Sequence, residues 1–174
     1  INTSMVPTFS APPNASDAET LILTYPDRMD TDAVASADLI NKIDALAAHP
    51  NVNGTVIDLG DSVAYPGILE VYNQWDSDQG NPQSANYVAR TIKSLIYALL
   101  PSYPDLKYIV LIGGDQVIPH RRIVDLTLVS NERTYLYSDN PALNAAAAFR
   151  YYLSDDYYAA SLPFGVDGRE LYIP

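Results

Sequence analysis

The chain has 174 residues, 48% hydrophobic and 18% charged, a composition that excludes a disordered segment and suits a compact fold with a real core. Its net charge of -11, from 21 acidic and 10 basic residues, repels phosphate backbones and anionic lipid surfaces and argues against nucleic-acid binding. Cys is absent, which excludes disulfides, thiolate metal sites and a cysteine nucleophile within these residues.

Residues 1–19 carry Pro7, Pro12 and Pro13 among Ser, Thr and Asn, and are expected to form an extended leader or linker. The first residue is Ile1, read here as a mature or trimmed end, and no basic stretch followed by an apolar one marks a signal peptide. Residues 20–174 form the expected α/β domain. Leu21–Tyr25 is a short apolar run closed by Pro26-Asp27 and predicts a buried strand. From Ala33 to Ala48, Val34, Ala37, Ile40, Ile43 and Ala47 recur near helical spacing, with Asp32 in position to cap the start. Val56–Leu59 predicts a second strand, and Gly67–Trp75 a short helix. Asp76 to Pro82 reads as a loop. Ser84 then opens a helix with one apolar stripe of Val88, Ile92, Leu95, Ile96 and Leu99, stopped by Pro101 and Pro104.

Tyr108–Ile112 is the most regular strand candidate, ended by Gly113-Gly114-Asp115. Strands alternating with helices predict right-handed crossovers and a mainly parallel sheet, and the unbroken apolar strands agree, because parallel strands are covered on both faces. Beyond Pro119 the pattern loosens. Residues 123–129 predict a strand, 142–151 a short helix, and Leu171-Tyr172-Ile173 the opening of another strand. No apolar run reaches the length of a membrane span.

The residues that could carry chemistry are few. His120, in Ile118-Pro119-His120-Arg121-Arg122, reads as a loop residue whose protonated form its Arg neighbours disfavour; His49 lies before Pro50. Gly60-Asp61-Ser62-Val63 looks like the Gly-Asp-Ser-Leu block of a serine-hydrolase family, with Ser62 as nucleophile. That family's Asp-x-x-His pair has no counterpart: Asp115 and His120 are wrongly spaced and mid-chain. Asp58 and Asp61 are three apart, wrong for two carboxylates on one side of an extended segment. Gly113-Gly114-Asp115 lacks the Gly spacing and the Lys of a phosphate loop. Asp76 with Asp78, and Asp155 with Asp156, offer oxygens that calcium could use, without the spacing of a dedicated calcium loop.

Three segments in order carry a family resemblance. Tyr108-Ile-Val-Leu-Ile-Gly-Gly-Asp-Gln-Val-Ile-Pro119 has an apolar strand, then Gly-Asp, then Ile-Pro. Leu153-Ser154-Asp155-Asp156-Tyr157-Tyr158 follows a Ser-Asp-x-x-Tyr pattern. Arg169-Glu170-Leu171-Tyr172-Ile173-Pro174 stands where a strand leading to Gly-Arg would fall. This order resembles the gingipain family of cysteine peptidases; residues 1–107 match it only in their α/β alternation.

The resemblance implies a caspase-like three-layer α/β sandwich, incomplete in these residues, with the site beyond the C-terminal ends of the strands, as α/β sheets generally place it. It also implies that the catalytic His and Cys lie further along, so no residue here is assigned a catalytic role. The expected function is the N-terminal portion of a secreted or cell-envelope cysteine endopeptidase. Its expected partners are a protein or peptide substrate and the remaining C-terminal part of the same protein. The secreted setting also agrees with 14 Tyr and few Lys. The alternatives are a non-catalytic α/β binding module and, third, a serine hydrolase using Ser62. Asp115, Asp155 and Asp156 are the expected substrate contacts, gathered on one rim. Carboxylates so gathered call for bound calcium or for pairing with Arg121, Arg122 or backbone N–H groups, and the Arg pair is favoured because it is near in sequence. No cofactor other than calcium is expected.

Overall fold

The computed structural model describes residues 6–10, 16–29, 32–135, 139–166 and 169–173. The chain divides into two compact units. One, the sheet unit, consists of Pro7–Leu69 and Ser94–Ile118; the other, the hairpin unit, of Ile1–Val6, Glu70–Lys93 and Pro119–Pro174.

The sheet unit holds three parallel strands in the order β2-β1-β3: β1 is Thr20–Thr24, β2 Gly54–Asp58 and β3 Tyr108–Leu111. Ile22 stands level with Val56 on one side and Val110 on the other. All five residues of β1 are buried, as a central strand covered on both faces requires. The three strands and their parallel sense agree with the sequence pattern. Helix α1, Ala33–Ala47, packs Ile43 and Ala47 on Ile22, with Leu39, Val52, Val56, Val110 and Ile112 around them. Asp32 caps α1, its carboxylate accepting from the amides of Val34 and Ala35 at 3.0 and 2.8 Å. Asp32→Ala is expected to cost about 1 kcal/mol in urea unfolding, the usual worth of a lost N-cap; an unchanged midpoint would show that α1 is held by packing alone.

The last residues of the expected leader are tied to this unit. Ala18 is buried, the amide of Glu19 donates to the Asn53 carbonyl, and the Glu19 carboxylate pairs with Lys107 at 2.7 Å.

Helix α2 is Ile68–Ser77 and α3 is Pro82–Leu99. The expected single apolar stripe understates α3. From Pro82 to Leu99 only Gln83, Arg90 and Tyr97 are exposed, seven apart and so on one line of the helix. The buried remainder includes Ser84, Asn86, Thr91 and Lys93, which alternation of polar and apolar residues does not mark as core. Pro82–Lys93 belongs to the hairpin unit and Ser94–Leu99 to the sheet unit.

The strands of the hairpin unit pair antiparallel. β4, Arg121–Val124, pairs with β5, Tyr151–Ser154; β6, Phe164–Val166, pairs with β7, Arg169–Leu171. The strand expected over 123–129 thus begins earlier and stops at Val124. The Asp125 carboxylate stops it by accepting from the amide and hydroxyl of Thr127 and the amide of Glu132, which turns the backbone. The helix expected over 142–151 is α4, Pro141–Ala148, capped by Asn140. Arg150 takes a positive φ of 61°, ending the helix and releasing Tyr151 into β5, a strand the sequence pattern did not signal. The strand expected to open at Leu171 instead ends there. Helix α5 is a single turn, Asp156–Ala159.

Candidate functional site

The first family-like segment leaves β3 through Gly113 and turns at Gly114, whose carbonyl accepts from the amides of Val117 and Ile118 at 2.9 and 3.0 Å. Asp115 lies in this turn and is buried, as are Val117 and Ile118. These residues belong to the sheet unit; the chain enters the hairpin unit at Pro119.

In the hairpin unit the end of the first segment meets the other two. The Tyr158 hydroxyl, fully buried, donates to the Pro119 carbonyl at 2.6 Å. β5 delivers Asp155 to the start of α5, and this single turn leaves carbonyls at its end that no later helical amide reaches. Lys93 of α3 serves them. Its ammonium, almost wholly buried, donates to the carbonyls of Tyr157 at 2.6 Å, of Tyr158 at 3.0 Å and of Ala160. Arg121 at the start of β4 holds Glu170 of β7 through two hydrogen bonds of 3.0 and 3.2 Å, a bidentate pair. The Tyr157 ring is the hub: Arg121 lies 5.2 Å and the Lys93 ammonium 5.4 Å from its centroid, and Tyr172 meets it edge-on at 4.9 Å. The Tyr172 hydroxyl donates to the Glu170 carboxylate.

Burial shapes the protonation of this cluster. It pushes the Lys93 amine down to about 8, because the charged form loses hydration; the three carbonyls act the other way by holding the ammonium. Tyr172 is pushed above the ordinary phenol range, first by burial and then by its bond to Glu170. On the edge of β4, Asn86 reads the backbone of Arg122: its carbonyl accepts the Arg122 amide at 2.7 Å and its NH₂ donates to the Arg122 carbonyl at 3.0 Å. The Arg122 guanidinium is buried, donates to the His120 carbonyl at 2.6 Å and lies 5.9 Å from the Trp75 ring.

The expected contact residues are divided between the units. Asp115 belongs to the sheet unit, and Asp155 and Asp156 belong to the hairpin unit. The last two are exposed, and their carboxylates make no hydrogen bond or ion pair among the described residues. Their expected pairing with Arg121 is not formed, because Glu170 occupies that guanidinium. Asp78 of the acidic loop works as a local tie, accepting from the Asn81 side chain and the Ser84 hydroxyl beside the start of α3. Among the described residues, no group of three or more His, Asp or Glu side chains gathers that could hold a metal ion, and no helix is long and apolar enough to cross a membrane. Ser62 is exposed and its hydroxyl makes no hydrogen bond among the described residues. His49 is exposed, its Nδ1 accepting the Asn51 amide at 3.2 Å.

Lys93 and Glu170 are central to this arrangement, yet neither was singled out from the sequence. Lys93 did leave a signal: it follows Ile92 and precedes Leu95 and Ile96 on a helix with few exposed positions. The described residues define a mixed α/β protein with a three-stranded parallel sheet. No family model, no curated protein and no solved structure matches the chain.

Proposed function

We propose that the chain supplies the N-terminal portion of a secreted or cell-envelope gingipain-like cysteine endopeptidase. In this reading it forms part of a caspase-like three-layer sandwich and one wall of a peptide groove, with the nucleophilic Cys and its His outside these residues. The observation that carries the reading is that, in the hairpin unit, the last residue of the first family-like segment meets the second segment and the second meets the third. Tyr158 of the second bonds to Pro119 of the first, and Tyr172 and Glu170 of the third engage Tyr157 of the second and Arg121. Segments picked out by their residue patterns and their order along the chain thus contact one another within the hairpin unit. Asp155 and Asp156, exposed and with carboxylates that have no partner among the described residues, are the proposed contacts for cationic groups of a peptide, and Asp115 is a further proposed contact on its own unit.

The reading makes two demands. The 174 residues alone should not cleave peptides, since a cysteine mechanism needs a thiolate and no Cys is present. The coding sequence beyond Pro174 should continue with a strand ending in His-Gly and a later one ending in Cys. The longer product should then hydrolyse unstructured protein and lose that activity on thiol alkylation. A downstream sequence without those residues would sink the peptidase and leave the second reading, a non-catalytic binding module, which the absence of Cys here also favours. Hydrolysis by the 174-residue chain that Ser62→Ala abolishes would instead make it a serine hydrolase.

A further inference from the structure

The hydrogen bonds between β4 and β5 fix which backbone groups of this two-stranded sheet face outward. The Asp125 amide donates to the Arg150 carbonyl at 2.7 Å, and the register sets Ile123 against Tyr152 and Arg121 against Ser154. Bonded partners of an antiparallel pair recur every second residue, so these three pairs carry the ladder. Arg122 and Val124 therefore turn their amides and carbonyls away from β5, and Tyr151 and Leu153 turn theirs away from β4. The two outer edges differ. On β4, the Asn86 side chain pairs with both backbone groups of Arg122, as a neighbouring strand would. On β5, the amides and carbonyls of Tyr151 and Leu153 have no hydrogen-bond partner among the described residues, and both residues are only half-buried. A strand edge in this state is a template for another strand.

We infer that the outer edge of β5 binds an extended peptide segment as an added antiparallel strand, with a basic residue of that segment lying beyond Ser154. Two donors and two acceptors at strand spacing are complementary to an extended backbone, and the antiparallel sense continues that of the sheet and is the more stable pairing. Residues of the added strand opposite Tyr151 and Leu153 exchange hydrogen bonds with them and share their face. There Tyr151 and Leu153 line a largely apolar cavity of about 170 Å³ with Leu143, Asn144, Ala146 and Ala147 of α4 and with Glu132, and this cavity takes an apolar side chain of the peptide. The charge preference comes from the residues that follow β5. Asp155 and Asp156 are exposed, and their carboxylates have no partner among the described residues. In an antiparallel strand they stand beside the N-terminal end of the bound stretch, which sets the basic residue there. The same acids, in a chain of net charge -11, oppose pairing with the β5 of a second copy. The inference deepens the peptide contacts proposed for Asp155 and Asp156 and rests on that reading for the basic residue alone; the edge itself does not depend on a peptidase.

Fluorescence anisotropy and amide exchange of the 174-residue protein test it, with a labelled peptide of Arg-Arg followed by alternating Val and Gln as probe. The probe is expected to bind saturably and to protect the Tyr151 and Leu153 amides, leaving the Tyr152 amide, already bonded to β4, unchanged. Val fits the cavity and so faces the edge. N-methylation of the Val amides is expected to weaken the probe about tenfold, by removing bonds to β5, and N-methylation of the Gln amides to have little effect. Leu153→Pro removes one outward donor without touching the ladder to β4, and is expected to weaken the probe severalfold; the methylated probes decide the matter should this variant fail to fold. Asp155→Asn combined with Asp156→Asn is expected to weaken the probe about two- to fivefold and to flatten its salt dependence. Equal binding of the two methylated probes, edge amides that gain no protection, or a concentration-dependent dimer that displaces the probe would overturn the added strand. Unchanged affinity and salt dependence in the doubly substituted variant would overturn the basic residue and the contact role of the two acids, whereas the peptidase reading stands or falls on the sequence beyond Pro174.

Discussion

Lys93→Met is expected to lower the stability of the chain by about 3 kcal/mol, with the hairpin unit losing order around residues 156–160. Met keeps the apolar stem of the side chain but leaves the carbonyls of Tyr157, Tyr158 and Ala160 without their donor. A buried acceptor stripped of its partner costs about 1–3 kcal/mol, and three are affected, while removal of a poorly hydrated ammonium returns part of that. Urea unfolding measures the loss, and amide exchange at Tyr158 and Ala160, whose N–H groups bond back to Asp155 and Asp156, locates it. The same residue gives stability a pH dependence. Burial sets the folded pKa at about 8, below the ordinary 10.5, so between those values the unfolded chain holds a proton that the folded one has lost. Stability then rises with pH, and the burden of the buried charge, fully present below pH 8, is relieved as pH climbs toward 10.5. Wild type is therefore expected to gain stability relative to Lys93→Met between pH 7 and pH 9.5. A relative loss over that window would mean that the three carbonyls outweigh burial and that the folded pKa lies above the ordinary value.

What could be read from the sequence follows the strength of each local signal. β1, β2 and β3 were legible because Leu21–Leu23, Val56–Ile57 and Ile109–Leu111 are unbroken apolar runs separated by helical periodicity, and only parallel strands joined by crossovers use that combination. The hairpin unit was not legible in the same way. Tyr151–Ser154 contains two tyrosines and follows directly on an alanine-rich helix, so the periodicity carried the helix too far; the boundary depends on the positive φ of Arg150, a residue type that gives no warning of it. The Arg pair is favoured as carboxylate partner because it lies a few residues from Asp115, and that nearness does not extend to Asp155 and Asp156. Glu170 reaches Arg121 across 49 positions because β7 carries it there, whereas Asp155 and Asp156, nearer along the chain, are exposed. The buried amine of Lys93 is the same lesson in reverse, since a lysine on a helix is normally a solvated one.

Gly113→Ala is expected to be the most damaging single methyl in the sheet unit, costing about 4 kcal/mol. Gly113 follows β3 and Ile112 with φ at 122°, a conformation that L side chains rarely adopt. A Cβ built there would sit 2.7 Å from the Val117 Cβ and 2.8 and 3.0 Å from its two methyls. Two costs therefore combine: backbone strain of about 1–3 kcal/mol, and overpacking of a similar size against a buried, branched side chain with little room to move. The bend is needed because the Gly114 carbonyl must accept both the Val117 and Ile118 amides while Val117 and Ile118 turn inward. The double variant Gly113→Ala with Val117→Gly separates the two costs, because the nearest clash is with the Val117 Cβ itself. Judged against Val117→Gly alone, adding Gly113→Ala is expected to cost about 1–3 kcal/mol, since the strain remains once the clash has gone. Urea midpoints at constant slope provide the measurement. A loss of under about 1 kcal/mol for Gly113→Ala would show that the turn relaxes to negative φ, and that the bend placing Asp115 just beyond β3 is a preference of the backbone and not a requirement of the packing.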